Sequence, residues 1–312
     1  VEGKPKVIEQ EQLNMDFLSK QTAYIVQIKI TEVRKHYPFP LIVQKKDGLN
    51  LNDDNITEPI MMIVDNIYLE DLINFQNIEF ELIKGYYWDG KKDFRIQEEI
   101  KKIFEKRVEY KKQKNPLQQL YKLIMNSCYG KTIEKPVDKE LVYVSGEEKI
   151  KKYITRNYNS ITEIIQIKDS KISAIKQVVP IDQHFNFSLL GIQVLSMSKR
   201  IMNEVMCLAY DIGCRIYYQD TDSMHIVKED LSRLEEAFKE KYHRELKGTN
   251  LGQFHTDFSS CTGREDVEHA VESIFLMKKM YIDKLLMSDN TFEYMFRGKG
   301  LTTNSILALA HE

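Results

Sequence analysis

The segment Tyr217-Tyr218-Gln219-Asp220-Thr221-Asp222-Ser223-Met224-His225-Ile226 constrains this chain more than any other. An apolar run enters, two acids stand two residues apart, and an apolar run leaves. The pattern predicts two strands, 214–219 and 223–227, joined by a tight turn at Asp220-Thr221-Asp222. Carboxylates that close repel each other unless a cation lies between them. A hard divalent ion with oxygen ligands is the natural cation, and Mg²⁺ takes only one or two protein carboxylates beside substrate phosphates. Aspartate is also an ordinary turn residue. A solvent-facing turn, however, needs neither two tyrosines ahead of it nor a continued apolar strand behind it.

The 312 residues make one large domain or two ordinary ones at about 150 residues each. With 42% hydrophobic and 29% charged residues the chain can bury a core and is not broadly disordered. Lys+Arg 45 against Asp+Glu 47 gives a net charge of -2. That excludes a protein basic all over and leaves room for a local basic groove. No apolar run approaches the ~18 residues of a membrane helix, so no membrane partner is expected. Four scattered cysteines without a Cys-x-x-Cys argue against a disulfide framework or structural zinc. An intracellular, reducing compartment fits, and secretion does not. The opening Val-Glu-Gly-Lys-Pro-Lys shows neither a signal peptide nor an initiator Met, as in a fragment or a processed chain.

Along the chain, residues 22–30 alternate as a strand, 41–43 add a short apolar run, and 45–58 read as a polar loop. Strand, short helix and strand follow over 60–86. Helical spacing begins near Ile96, and Asn115-Pro116 opens a second helix with Leu117, Leu120, Tyr121, Ile124 and Cys128 on a buried stripe and Gly130 as its stop. Residues 133–187 are irregular and β-leaning. A strong helix covers 189–212, burying Val194, Ser198, Ile201, Met202, Val205, Leu208, Ala209 and Ile212, and Gly213 ends it. An amphipathic helix over about 230–246 and a strand over 273–285 complete the reading.

On the helix after Pro116, Lys122, Asn126 and Tyr129 lie at i, i+4 and i+7 and share a face away from the apolar stripe. A cation, an amide and an aromatic ring on one stripe suit a nucleotide, with Lys on phosphate and Tyr on sugar or base. From Lys84 to Lys131 there are 13 Lys/Arg against 6 Asp/Glu, a local charge of +7 inside a chain of -2. Positive potential is therefore concentrated there. Downstream, Ser273–Ile282 alternates, with Lys279 and Tyr281 on one face, a pairing able to hold a nucleic-acid backbone without reading sequence.

These strings together resemble family B DNA polymerases. Tyr218-Gln219-Asp220-Thr221-Asp222-Ser223 is similar to the family's Tyr-x-Asp-Thr-Asp-Ser palm hairpin, Lys122 to Gly130 to its Lys-x-x-x-Asn-Ser-x-Tyr-Gly fingers motif, and Lys279 with Tyr281 to its Lys-x-Tyr motif. The resemblance implies that Asp222 is the principal metal ligand and Asp220 its partner. It puts Lys122 on the triphosphate, Asn126 and Tyr129 at the nucleotide, and Ser127, Gly130, Thr221, Lys279 and Tyr281 on the DNA and primer side. It implies two Mg²⁺ ions, replaceable by Mn²⁺, and template-directed DNA synthesis from dNTPs on primer-template DNA. Lys199-Arg200 resembles a basic position of the palm helix, and Lys299-Gly300 the opening of a thumb.

The fold implied is α+β, a right-hand palm of antiparallel sheet backed by helices with helical fingers. Extra stretches look like those of the protein-primed subgroup of viruses and linear plasmids, which adds a terminal protein as a possible partner. The domains expected are 1–95 as a palm-associated, terminal-protein-region insertion, 96–131 as fingers, and 132–187 as a processivity-type insertion. Palm with catalytic hairpin and primer strand follows at 188–290, and the start of a thumb at 291–312. The family's Asp-x-x-Ser-Leu-Tyr-Pro motif has no counterpart, since Asp16-Phe-Leu-Ser19 continues wrongly. The chain thus reads as the carboxyl-side half of a polymerase, lacking the first palm strand and inactive alone. The alternative is a nucleic-acid-binding remnant or split part without catalysis of its own. A reverse transcriptase fits poorly, because the fingers string is specific to the DNA polymerase family.

Overall fold

The computed structural model describes residues 1–46, 49–52, 58–135, 139–179, 186–258 and 260–300, with the side chains of 44–46 and 49–52 left aside. In chain order the elements are β1 (Lys6–Val7), α1 (Met15–Leu18), β2 (Ala23–Val33), β3 (Val43–Lys46), β4 (Leu49–Asn52) and β5 (Ile60–Asp65). Next come α2 (Asn66–Asp71), prolonged by a π-helical turn over Leu72–Gln76, then β6 (Ile78–Trp88), α3 (Arg95–Lys112) and α4 (Leu117–Thr132). These are followed by β7 (Lys139–Ser145), α5 (Glu147–Asn157), β8 (Ile161–Gln166), β9 (Ile172–Val178) and α6 (Ser188–Asp211). The last are β10 (Ile216–Asp220), β11 (Ser223–Ile226), α7 (Lys228–Tyr242), β12 (Val267–Met277), β13 (Met280–Met287) and β14 (Phe292–Gly298). One sheet has the order β1-β6-β2-β5, with β1 antiparallel to β6, and the pairings β3–β4, β7–β9, β8–β9, β10–β11, β12–β13 and β13–β14 are antiparallel too. The chain divides into two compact units, residues 1–26 with 83–196 and residues 27–82 with 197–312.

In the first unit, α3 and α4 form a helical hairpin whose seam includes the Tyr110 and Tyr121 rings, 5.4 Å apart. Asn115 Oδ1 accepts the Leu117 N–H at 3.0 Å, satisfying a donor that the start of α4 would otherwise leave open. Gly130 does not stop the helix. It continues to Thr132, whose hydroxyl donates to the Tyr129 carbonyl at 2.7 Å. Glycine in a helix is a small penalty that local bonding outweighs. The stripe expected to be buried is also corrected, because Leu117, Leu120, Ile124 and Cys128 are exposed. Two helices alone bury one narrow seam, and periodicity names a face without saying what covers it. Residues 139–178 are more regular than expected. β7, β9 and β8 make a three-stranded antiparallel sheet, and α5 is held to it by the Tyr153 hydroxyl on Gln177 Oε1 at 2.9 Å.

In the second unit, the carboxyl half of α6 and α7 enclose Val205, Leu208, Ala209, Leu234, Phe238 and Leu246. Ile216, Met224 and Ile226 of the β10–β11 hairpin close that core from the sheet side. The expected face of α6 holds from Met202 to Ala209, whereas Val194 and Ser198 are exposed. Gly213 takes φ +73° just past the helix, a conformation that costs a residue with a Cβ. α7 ends at Tyr242, short of the expected 246. His243 caps it in the left-handed region at φ +55°, and Leu246 reaches the core from the following loop.

The polar stretch at 45–58 is not simply a loop. β3 and β4 pair from Val43↔Asn52 to Lys46↔Leu49, since backbone bonding suffices for a ribbon of polar residues, and 53–57 lie outside the described residues. The single strand expected over 273–285 is two strands, β12 and β13, folded back at Lys278-Lys279 with Met277 opposite Met280. Neither lysine is a turn former by type, so alternation ran straight through the reversal. The segment expected to open a thumb contributes β14, the third strand beside β13, and residues 301–312 lie outside the described residues.

Candidate functional site

The β10–β11 hairpin is two-sided, with a register shift between Ile216 and Tyr218 and regular pairing from Tyr218 to the turn. Tyr218 faces His225, Gln219 faces Met224, and Asp220 faces Ser223. Met224 and Ile226 enter the helical core, so Ser223 and His225 are turned the other way. The turn is unusually tight. The Asp222 N–H donates to the Asp220 carbonyl at 2.6 Å, the Ser223 hydroxyl donates to the same oxygen at 3.1 Å, and the Thr221 hydroxyl donates to Asp220 Oδ1 at 3.0 Å. Thr221 is thereby held at φ +52°, a conformation that a β-branched residue adopts only when its surroundings over-determine it. The two acids are thus fixed at adjacent points of a rigid tip, with Asp222 exposed.

The second hairpin, β12–β13, meets this tip. The Lys279 ammonium lies 2.7 Å from each oxygen of Asp220. The Lys279 backbone N–H donates to the Tyr218 hydroxyl at 2.7 Å, and Lys279 itself sits at φ +60° in the turn. Tyr218 stacks on Phe275 at 5.0 Å and 4°, and Tyr281 lies 5.0 Å from Tyr218. Lys279 and Tyr281 therefore do not stand side by side on one strand face as expected. Lys279 occupies the turn and Tyr281 the sheet face, and both converge on Tyr218. The bond from Lys279 holds the Asp220 carboxyl below its usual range, and Asp220 in turn raises Lys279. Burial pushes the Tyr281 phenol up.

Lys122, Asn126, Ser127, Tyr129 and Gly130 belong to α4 in the first unit. Lys122 and Asn126 are exposed and Tyr129 half-buried, and Lys122 has no ion-pair partner among the described residues. A free ammonium one turn from a carboxamide and two turns from a phenol is competent to receive an anion. Lys199 and Arg200 separate in role. Lys199 lies over the Tyr68 ring at 4.8 Å. The Arg200 guanidinium is consumed by Asp71 at 2.5 Å, the Ile67 carbonyl at 2.6 Å and Glu70 at 3.0 Å, so it braces α2 against α6. Burial pushes the Asp71 carboxyl up to about 6 against the pull of Arg200.

The donor set fits a hard divalent cation. Asp222 and Asp220 present carboxylates from one rigid turn, the protein share that Mg²⁺ ordinarily takes beside phosphates, with Lys279 holding both oxygens of Asp220 in this state. No group of three His, Cys, Asp or Glu side chains converges among the described residues. Sequence reasoning missed the Lys279–Asp220 ion pair, the anchoring by Tyr218, and His225 with Asp283. The tight Asp-x-Asp string and the Lys279–Tyr281 pair marked the neighbourhood, but not these contacts.

A family model described as DNA polymerase type B, organellar and viral, matches residues 2–194. A DNA polymerase of Kluyveromyces lactis is 25% identical over 251 residues, covering 78% of this chain and 24% of that protein. Phi29 DNA polymerase in a ternary complex with primer-template DNA and incoming nucleotide shares its fold over 98% of this chain and 48% of that one, with TM-score 0.60 at 18% identity. Its post-translocation binary complex gives TM-score 0.61 at 17% identity, over 98% and 47%. The chain thus spans about a quarter of the curated relative and about half of the solved structures it matches.

Proposed function

Because the chain belongs to the organellar and viral family of type B DNA polymerases, we propose that it is the polymerising part of an enzyme that extends a primer on a DNA template. The single observation that carries this is the rigid Asp220-Thr221-Asp222 tip, with the Lys279 ammonium and the Tyr218–Tyr281 pair built against it. In this reading the primer 3′-hydroxyl attacks the α-phosphate of a dNTP and pyrophosphate leaves. Asp222 and Asp220 would hold Mg²⁺, or Mn²⁺ in its place, and the ions when bound activate the attacking oxygen and stabilise the leaving one. Lys122 neutralises triphosphate charge, while Asn126 and Tyr129 seat the nucleotide. Ser127, Gly130 and Thr221 lie towards DNA, and Lys279 with Tyr281 positions the primer end. Protein-primed replication of a viral or linear-plasmid genome, with a terminal protein as partner, is the setting that the insertions suggest, and an intracellular site goes with it.

The Lys279–Asp220 pair favours a second reading, a nucleic-acid-binding part without catalysis of its own. A carboxylate whose two oxygens are both engaged by an ammonium has less to offer a metal. Primer extension with Asp222→Asn separates the two. The variant should lose metal-dependent extension by more than about tenfold while primer-template binding stays near the parent's, because the carboxylate acts on metal and not on DNA. Extension within tenfold of the parent would remove Asp222 from the metal site.

A further inference from the structure

The two hairpins of the second unit share no backbone pairing. β10–β11 is a two-stranded sheet by itself, and β12–β13–β14 is another. Contacts that involve side chains therefore set how one lies against the other, and two of them are directed at carboxyl groups. At the tip, Lys279 grips Asp220. Deeper, His225 on β11 places Nε2 at 3.3 Å from Oδ2 of Asp283 on β13. The Ser273 hydroxyl on β12 donates to the other oxygen, Oδ1, at 2.6 Å. Asp283 is 0% exposed. Both oxygens of that buried carboxyl group are thus engaged, one by the His225 ring and one by the Ser273 hydroxyl. Nothing in the proposed chemistry uses these three residues.

We infer that the His225–Asp283–Ser273 link is a positioning device for Lys279, and through it for the primer end. The route is continuous. The His225 ring meets Phe275 and Tyr281 edge-on at 5.1 Å each, and Tyr218 at 5.7 Å. Tyr218 in turn receives the Lys279 backbone N–H at 2.7 Å, in a turn already committed to φ +60°. Apolar burial is non-directional and ring geometry is only weakly so, which leaves room for one hairpin to slide on the other. A directed bond to a buried carboxylate does not. The slide it prevents is the one that would carry the Lys279 ammonium away from the Asp220-Thr221-Asp222 tip. His225, Asp283 and Ser273 are positioning residues, acting through Lys279 and touching no reacting atom.

This inference rests on the polymerase reading. Its test is steady-state primer extension by the full-length enzyme carrying this chain, with His225→Phe, His225→Gln and Ser273→Ala, each alone and on a Lys279→Ala background. His225→Phe keeps a ring in the aromatic cluster and removes the nitrogen that meets Asp283. The KM for primer-template should rise about tenfold while the KM for dNTP moves less than about twofold. His225→Gln retains a donor and should recover most of that loss. On the Lys279→Ala background, His225→Phe should add nothing further, since the effect passes through that lysine. Losses that add independently of Lys279, an equal shift of both KM values, or a folded His225→Phe with the parent's primer KM would each overturn the inference. Should His225→Phe not fold, Ser273→Ala removes one hydroxyl only and should raise the primer KM about threefold. A parental value there would overturn the inference as well. A parent enzyme that extends no primer would instead refute the polymerase reading, and the inference with it.

Discussion

Replacing Arg200 with methionine should destabilise the second unit in a way that depends on pH. Arg200 bonds Asp71 at 2.5 Å, and the Asp71 side chain is only 4% exposed. Even with its partner, burial lifts the Asp71 carboxyl from 3.8 to about 6. Its folded pKa therefore exceeds its unfolded one, so its contribution favours folding most strongly below 3.8 and is lost as pH rises through about 6. Removing the guanidinium strips away the largest opposing influence and pushes the carboxyl higher still. At pH 8 the variant must bury an unpaired carboxylate, and breaking such a pair costs about 3–5 kcal/mol. At pH 5 the carboxyl of the variant is protonated, the charge is gone, and a loss of about 1 kcal/mol should remain from the bonds to the Ile67 carbonyl and to Glu70. Denaturant unfolding of parent and variant at both pH values measures the difference. A loss of equal size at pH 5 and pH 8 would show that Arg200 acts by packing and that the buried charge of Asp71 is not the issue.

Lys122→Ala should raise the KM for dNTP about 10–100-fold with a smaller effect on DNA affinity, because a charge-assisted contact to phosphate is worth about 1.5–3 kcal/mol; steady-state kinetics beside a DNA-binding titration checks this, and the reverse pattern would move Lys122 to the template. Gly191→Ala should destabilise the first unit by about 1–3 kcal/mol, since a Cβ there would stand 1.9 Å from Ile133 Cγ2 at the start of α6; thermal unfolding reads the shift, and an unchanged midpoint would mean that the Ile133 side chain moves aside at no cost. Leu234→Ala on α7 should cost about 2–5 kcal/mol by opening a cavity in the core behind the β10–β11 hairpin, and a loss below 1 kcal/mol would mean that the helices close over the gap.

The strings that carry chemistry were legible because each is local. A turn of three residues or one helical face fixes its own geometry within a few bonds. Asp220-Thr221-Asp222 had to be a hairpin tip once apolar strands flanked it, and Lys122, Asn126 and Tyr129 had to share a face once 117–132 was helical. The core of the second unit was legible from Met202 to Ala209 for the same reason, since helical period alone puts those side chains on one side. What failed was whatever depends on a partner distant in the chain. Leu117, Leu120 and Ile124 form an apolar stripe that nothing among the described residues of their own unit covers, and Val194 extends a face that remains exposed. Period states a direction, and burial requires a second surface.

The reversal at Lys278-Lys279 shows the same limit from the other side. By residue type the segment 273–285 is one alternating strand, and only tertiary context decides that it folds back. The Tyr218 hydroxyl takes the Lys279 N–H and Asp220 takes its ammonium, two bonds that outweigh a left-handed backbone at a lysine. Asp283, only two residues past Tyr281, gave no signal at all, because a lone acid in a strand is usually a solvated one. Its burial against His225 and Ser273 is a property of two sheets meeting face to face. The residues that bear charge at the tip were therefore determined by local sequence, and the orientation of those charges by contacts between hairpins that no single stretch of sequence encodes.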